Sequence, residues 1–211
     1  FYYSSVGRIL RMTSFIITIL LPAFYVAILT FHQEMIPSPL LSSLSATREG
    51  IPFPTIVETM GLIFAFEILI EVGMRVPIQV GQSLSILGAL VLGTAAVEAR
   101  IVSASVIIIV ALSGLTGLMS IKIKGPSIII RFILVLFAGF LGLYGVIFGV
   151  MGIVLHLCSI RSFGVPYLLS YTSLKPEDLK DIMIRAPLWS LKKRPAFISG
   201  KNKMKMGKAS K

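Results

Sequence analysis

Residues 128–158 read IIIRFILVLFAGFLGLYGVIFGVMGIVLHLC, with Arg131 as the sole Asp, Glu, Lys or Arg in the run. Wholly helical, this stretch would be about 46 Å long, well beyond the roughly 30 Å of hydrocarbon in a bilayer. One long tilted helix or two short ones would both satisfy it. Gly139, Gly142, Gly145, Gly149 and Gly152 recur at spacings of three or four, a ridge of small residues that lets another helix approach closely.

Working outward, segments 12–31, 81–97 and 101–119 contain no charged residue at all. Of the 211 residues 55% are hydrophobic and 14% charged, and the mean hydropathy is +0.92. Soluble domains of this size carry about 25% charged residues, so a bundle of buried soluble helices is disfavoured. The fold class expected is all-α: a polytopic transmembrane helical bundle of five to six spans over residues 1–160. Residues 161–191 read as an amphiphilic C-terminal segment and 192–211 as a basic, disordered cytoplasmic tail.

The net charge of +11 is concentrated late in the chain. From Arg161 onward there are 12 Lys or Arg, against Glu177, Asp178 and Asp181. Such a tail favours the cytoplasmic side and anionic lipid headgroups. It lacks the interleaved aromatics and recognisable module of a nucleic-acid binder, so no nucleic-acid partner is expected. A single cysteine, Cys158, excludes an internal disulfide or thiolate zinc cluster. His32 and His156 lie far apart at span ends, and neither a metal nor a cofactor is expected. Arg8, Arg11 and the apolar run behind them imitate a signal peptide, but the run is too long and no small-residue cleavage site follows. The chain starts at Phe1 and is expected to be the C-terminal part of something longer.

Span 12–31 has Pro22 in its middle, which removes a backbone donor and needs a neighbour to satisfy the freed carbonyl. Residues 32–50 form a loop in which SSLSATREG is expected to add a short interfacial helix. The next segment, 51–72, sets ten Leu, Ile, Val or Phe residues between Pro54 and Val72 against Glu58, Glu67 and Glu71. Apolar insertion gains of about −3 to −6 kcal/mol are cancelled by acids costing a few kcal/mol each when charged. Those acids need protein partners, water or protonation, and Glu71 can pair with Arg75 one turn on. Segment 81–97 is rich in small residues. Arg8 and Arg11, Lys122 and Lys124, and the C-terminus all favour the cytoplasm. Five spans put the C-terminus outside; breaking 128–158 into two puts it inside, as the positive-inside rule prefers.

No phosphate-binding loop, H-E-x-x-H or nucleophile elbow occurs, so no catalytic residue is nominated. Intramembrane acids more often mark structural pairs or ion paths than hydrolysis.

Several motifs follow one another in fixed order: LPAFYVAILTFHQEMIPSPLLSSLSATREG, PFPTIVE, FEILIEVGMRVP, VGQSLSILGALVLGTAAVEA, SFGVPYL and APLWSLKKRP. Together they resemble the A subunit of GerA-type spore germination receptors, including its paralogue, stage V sporulation protein AF, from about Tyr2 to Pro195. The resemblance implies a protein of the spore inner membrane. It would work with a transporter-like B subunit that binds the nutrient and a lipoprotein C subunit, and form a homo-oligomer around a ligand-gated cation pore. The family's soluble N-terminal domain is not matched. Matching positions are Pro52, Pro54, Glu58, Glu67, Glu71, Gly73, Arg75, Pro77, Gly81, Gln82, Gly88, Gly93 and Glu98. The family usually has a basic residue where this chain has Ile70, so a charge partner for Glu67 or Glu71 is missing from that stretch. Arg100 and Ala104 stand where glycine and proline are more usual, so the end of the small-residue helix is expected to differ.

Helix 81–99 is accordingly expected to line a pore through Gln82, Ser85, Gly88, Ala89, Leu90, Val91 and Glu98. Leu87, Leu90 or Val91 would gate by dewetting, and Glu98 would form a cation-selecting ring. Glu58, Glu67, Glu71 and Arg75 would form a supporting charge network. The competing reading is that the small face packs against the glycine ridge of 128–158. A non-conducting scaffold or signal relay is the alternative function.

Overall fold

The computed structural model describes residues 2–75, 77, 88, 90–91, 93–119 and 123–168. Gln82, Ser85, Ala89 and everything after residue 168, including the basic tail, lie outside them. Helix α1 runs over Tyr2–Phe31, followed by a 3₁₀ turn at Gln33–Met35. Helix α2 spans Ser38–Arg48, overlapping the stretch 42–50 where a short helix was expected but starting four residues earlier. Its start is set by Pro37 and Pro39, whose fixed φ suits a first turn. Helix α3 covers Thr55–Arg75, residues 93–98 are helical, and α4 covers Ala104–Leu118. Ser103 caps α4 by accepting a hydrogen bond from the Val106 N–H. Helix α5 spans Lys124–Ser159. By length and composition α1 and α5 are able to cross a membrane, and α4 is a shorter apolar helix.

Gly142 resolves the length problem of α5. Its φ of 62° and ψ of −141° are non-helical and open essentially to glycine alone. A Cβ on Gly145 would collide with the Phe137 carbonyl, and one on Gly149 would lie 2.6 Å from Leu134 Cδ2. In a straight helix those pairs would be about 12 and 22 Å apart. The chain therefore reverses at Gly142, giving limbs 124–141 and 143–159 of about 27 and 26 Å. Of the glycine ridge, Gly145 and Gly149 face the other limb of this hairpin, Gly139 meets Ile56 of α3, Gly142 abuts Phe31 and His32, and Gly152 has open space beside it. The ridge is not the partner of the small-residue segment among the described residues.

Residues 14–151 form one compact unit. In it α1 runs antiparallel to α4, with Thr18 beside Thr116 and Tyr25 beside Ser105. Helices α3 and α4 run parallel: Glu58 meets Ser103, and Gly114 lies against Phe66 and Ile70. The first limb of α5 is antiparallel to α3, with Arg131 at Glu67 and Gly139 at Ile56. One end of this unit gathers Phe31, α2, the starts of α3 and α4, and Gly142, which abuts Phe31 and His32. The other end holds Ser14, Met74, Met119 and Lys124. Its interior is mostly small or β-branched: Ala23, Val26, Ala27, Ile63, Val106, Val110, Val135 and Ala138 are buried together with Leu134, while Phe140, Phe148, Ile108 and Leu115 point outward. Small residues inside and large apolar ones outside is the packing of a membrane protein.

The second unit comprises 1–13 with 152–211. Its described part holds the first turns of α1, the last turns of α5 and a β-hairpin. Strands β1 (Arg161–Ser162) and β2 (Val165–Pro166) pair antiparallel, a small departure from the all-α expectation. Phe163 and Gly164 make the two-residue turn, both at positive φ.

Replacing Gly142 with alanine forces a Cβ into a glycine-only conformation and to 3.0 Å from His32 and Phe31. A loss of about 1–3 kcal/mol is expected, read as a lower thermal midpoint of the detergent-solubilised protein. Gly152→Ala, with open space around it, should leave the midpoint unchanged.

Candidate functional site

Two buried polar clusters tie α1, α3, α4 and α5 together and fasten α2 to them, and each of the sequence-nominated acids goes to different partners. The first begins at Pro22. Lacking an N–H, Pro22 frees the carbonyl of Thr18, and the Ser113 hydroxyl donates to that oxygen at 2.8 Å. Arg131 Nη1 donates to Ser113 Oγ at 3.1 Å, and Nη2 of the same guanidinium pairs with Glu67 Oε1. Lys124 Nζ stands 3.7 Å from Glu67 Oε2. The chain of contacts thus links α1, α4, α5 and α3. The Arg131 side chain is 3% exposed and that of Glu67 15%. Thr18 and Thr116 share a further hydrogen bond of 2.9 Å.

Along α3 itself Glu67 has no basic partner one turn away, since Ile70 stands where the family usually has a basic residue. The partner comes from α5, 64 residues on. Arg131 was visible as the one charge in an apolar run, and that isolation was the available signal. Shelter for Glu67 also comes from its own chain, with no neighbouring subunit required.

The second cluster sits at the opposite end of the unit. Glu58 Oε1 accepts from the Ser103 backbone N–H, and Oε2 lies 3.6 Å from Arg48 Nη2. Arg48 also donates to Thr55 Oγ1, so α2 is fastened to the start of α3. Ser105 Oγ bonds both Tyr25 Oη at 2.7 Å and Ser103 Oγ at 3.2 Å, adding α1. Glu71 and Arg75 stand apart from both clusters. They pair with each other at 2.8 Å with side chains 51% and 79% exposed. The four residues nominated as one network are thus distributed over three separate pairings.

A cavity of about 10 Å³ touches Glu67, Lys124 and Arg131. It has room for about one water, so no hydrated ion passes through the first cluster in this conformation. Among the residues nominated for a pore, Gly88 faces α3: a Cβ there would lie 2.8 Å from Leu69 Cδ2. Leu90, Val91 and Glu98 are exposed. The helical residues 93–98 close with Arg100 at a φ of 54°, the left-handed position that glycine usually takes after a helix. Among the described residues no group of three or more His, Cys, Asp or Glu is placed to hold a metal.

Apolar helices closed around buried ion pairs define an integral membrane protein. The chain belongs to the family described as Bacillus/Clostridium GerA spore germination protein, whose model matches residues 1–197. It is 45% identical over 203 residues to spore germination protein KA of Bacillus subtilis (strain 168), covering 95% of this chain and 37% of that one. Identity to the uncharacterized membrane protein YfkQ of the same organism is 43%, over 97% of this chain and 40% of the relative. Spore germination protein GerLA of Bacillus cereus is 39% identical, over 92% and 40% respectively. The chain thus spans about two fifths of the length of the curated relatives it matches. No solved structure matches it.

Glu67→Gln alone should leave Arg131 buried without a full counter-charge, at a cost on the order of 3–5 kcal/mol. Glu67→Leu combined with Arg131→Leu should recover most of that loss, because apolar residues satisfy the same space. Thermal unfolding of the single and double variants in detergent checks this; losses that simply add would contradict it.

Proposed function

We propose that this chain is the membrane portion of a germination-receptor A subunit that crosses the spore inner membrane six times and assembles with copies of itself into a ligand-gated cation channel. The observation that carries this reading is membership of the GerA family over nearly the whole chain. Six crossings are supported by two features. Helices α3 and α4 are parallel neighbours, so the chain between Arg75 and Ser103 joins opposite ends of the unit. The reversal at Gly142 adds a crossing. An even number puts Arg8 and Arg11, Lys122 and Lys124, and the basic C-terminus on one side, which the positive-inside rule makes cytoplasmic.

The ion path is assigned to the segment containing residues 81–99, with Leu90 and Val91 as the apolar constriction and Glu98 at one mouth. Gln82, Ser85 and Ala89 belong to the same proposed lining, whereas the contact with Leu69 favours a packing role for Gly88. The supporting charges are Glu58, Glu67, Glu71 and Arg75. The groove formed by Phe64, Ile68, Val72 and Ile128, with Glu71 and Arg75 beside it, is assigned to a neighbouring copy that shelters the exposed pair. A transporter-like B subunit would bind the nutrient, and a lipoprotein C subunit would complete the receptor.

A non-conducting relay is the second reading, supported by the buried chain of contacts from the Thr18 carbonyl through Ser113 and Arg131 to Glu67, which couples four helices. Full-length protein reconstituted in liposomes separates the two. In the channel reading Leu90→Ser hydrates the constriction and raises resting cation flux by about tenfold. Flux that stays at the empty-liposome level for both wild type and variant would sink that reading and favour the relay.

A further inference from the structure

We propose that a cleft at the α2 end of the 14–151 unit binds the headgroup of a phospholipid of the ethanolamine class. The cleft is open to solvent, holds about 520 Å³ and is lined by Thr47, Glu49, Gly50, Ile51, Arg100 and Val102, among others, with Thr47, Glu49 and Arg100 exposed at its rim. That volume lies in the range of small-ligand sites. Glu49 and Arg100 bring one charge of each sign to it. Among the described residues neither side chain makes a hydrogen bond or ion pair. Gly50, at a φ of 83°, keeps the wall open, since a Cβ there would stand 3.2 Å from Arg100 Nη1.

The chemistry selects the occupant. A guanidinium takes a phosphate through a planar fork of donors. The Glu49 carboxylate accepts from a primary ammonium. Thr47 donates its own hydroxyl to the Leu44 carbonyl at 2.8 Å, leaving its oxygen to accept from the same ammonium. A choline headgroup has no N–H to give, and a glycerol headgroup brings a negative charge without a positive one. The position selects a lipid over a soluble molecule. The cleft lies where α1 ends and α3 and α4 begin; Ile101, between the lining residues Arg100 and Val102, and Phe53, two residues after Ile51, are exposed. Acyl chains have apolar surface to follow from there. This site is independent of whether the protein conducts ions.

The test is native mass spectrometry of the full-length protein released from nanodiscs containing equal parts ethanolamine, glycerol and choline phospholipid. Retention of the ethanolamine lipid above the other two is expected. Arg100→Gln should lower its retention by about tenfold, the loss of one charge-assisted contact. Glu49→Gln should remove the preference over the glycerol lipid while phosphate binding persists, and it decides the matter should Arg100→Gln not fold. Equal retention of all three lipids, preference for the glycerol lipid, or variants that bind like wild type would overturn the proposal. So would displacement of the lipid by free phosphoethanolamine at equal concentration, which would assign the cleft to a soluble ligand.

Discussion

Burying the Arg131–Glu67 pair is the constraint around which the helices are arranged. A lone arginine or glutamate at the centre of a membrane helix costs a few kcal/mol or more. Neither side chain is placed to escape to water, so each is the other's solvent. The pair fixes the register of α3 against the first limb of α5, since a slip of one residue along either would separate the charges. Ser113 then sets α4 at the same level, and through the Thr18 carbonyl it sets α1. Four helices acquire one common depth from a single ion pair and a hydroxyl. Buried pairs contribute little net stability compared with apolar replacements; what this one supplies is alignment.

Glycine provides the second constraint. The α5 hairpin turns without a loop because Gly142 occupies backbone space closed to other residues, and because Gly145 and Gly149 let the limbs touch. Large side chains are then free to face lipid. Depth is set by charge and closeness by small residues, and the two devices meet on α5, which contributes to both.

Much of this was legible in the sequence because bilayers impose coarse rules. Apolar runs marked the long helices and the glycine spacing announced close packing, whereas Pro37 and Pro39, which read as loop residues, stand at the start of α2. Excess length in 128–158 showed that one upright helix was impossible, but only the φ of Gly142 could choose between tilt and reversal, and a repeat of glycines does not say which of them is the apex. The acids of α3 were recognised as needing shelter. Their partners were not, because Glu67 and Arg131 are joined by topology across three helices and local spacing carries no trace of that. Where the reading looked along one helix, at Glu71 and Arg75, the geometry agreed; where pairing ran between helices, at Glu58 and Arg48 or Glu67 and Arg131, it needed the fold.

The Pro22 and Ser113 contact has an evolutionary consequence. Proline at 22 is tolerable because a hydroxyl on another helix answers the carbonyl it strands, and that hydroxyl in turn receives a hydrogen bond from Arg131. The dependence runs one way: a descendant that mutates Ser113 first inherits an orphaned carbonyl, whereas one that first regains an amide at 22 frees the serine. Among the chain's relatives these two positions, 91 residues apart, should drift as a linked pair and in a preferred order, proline departing before serine.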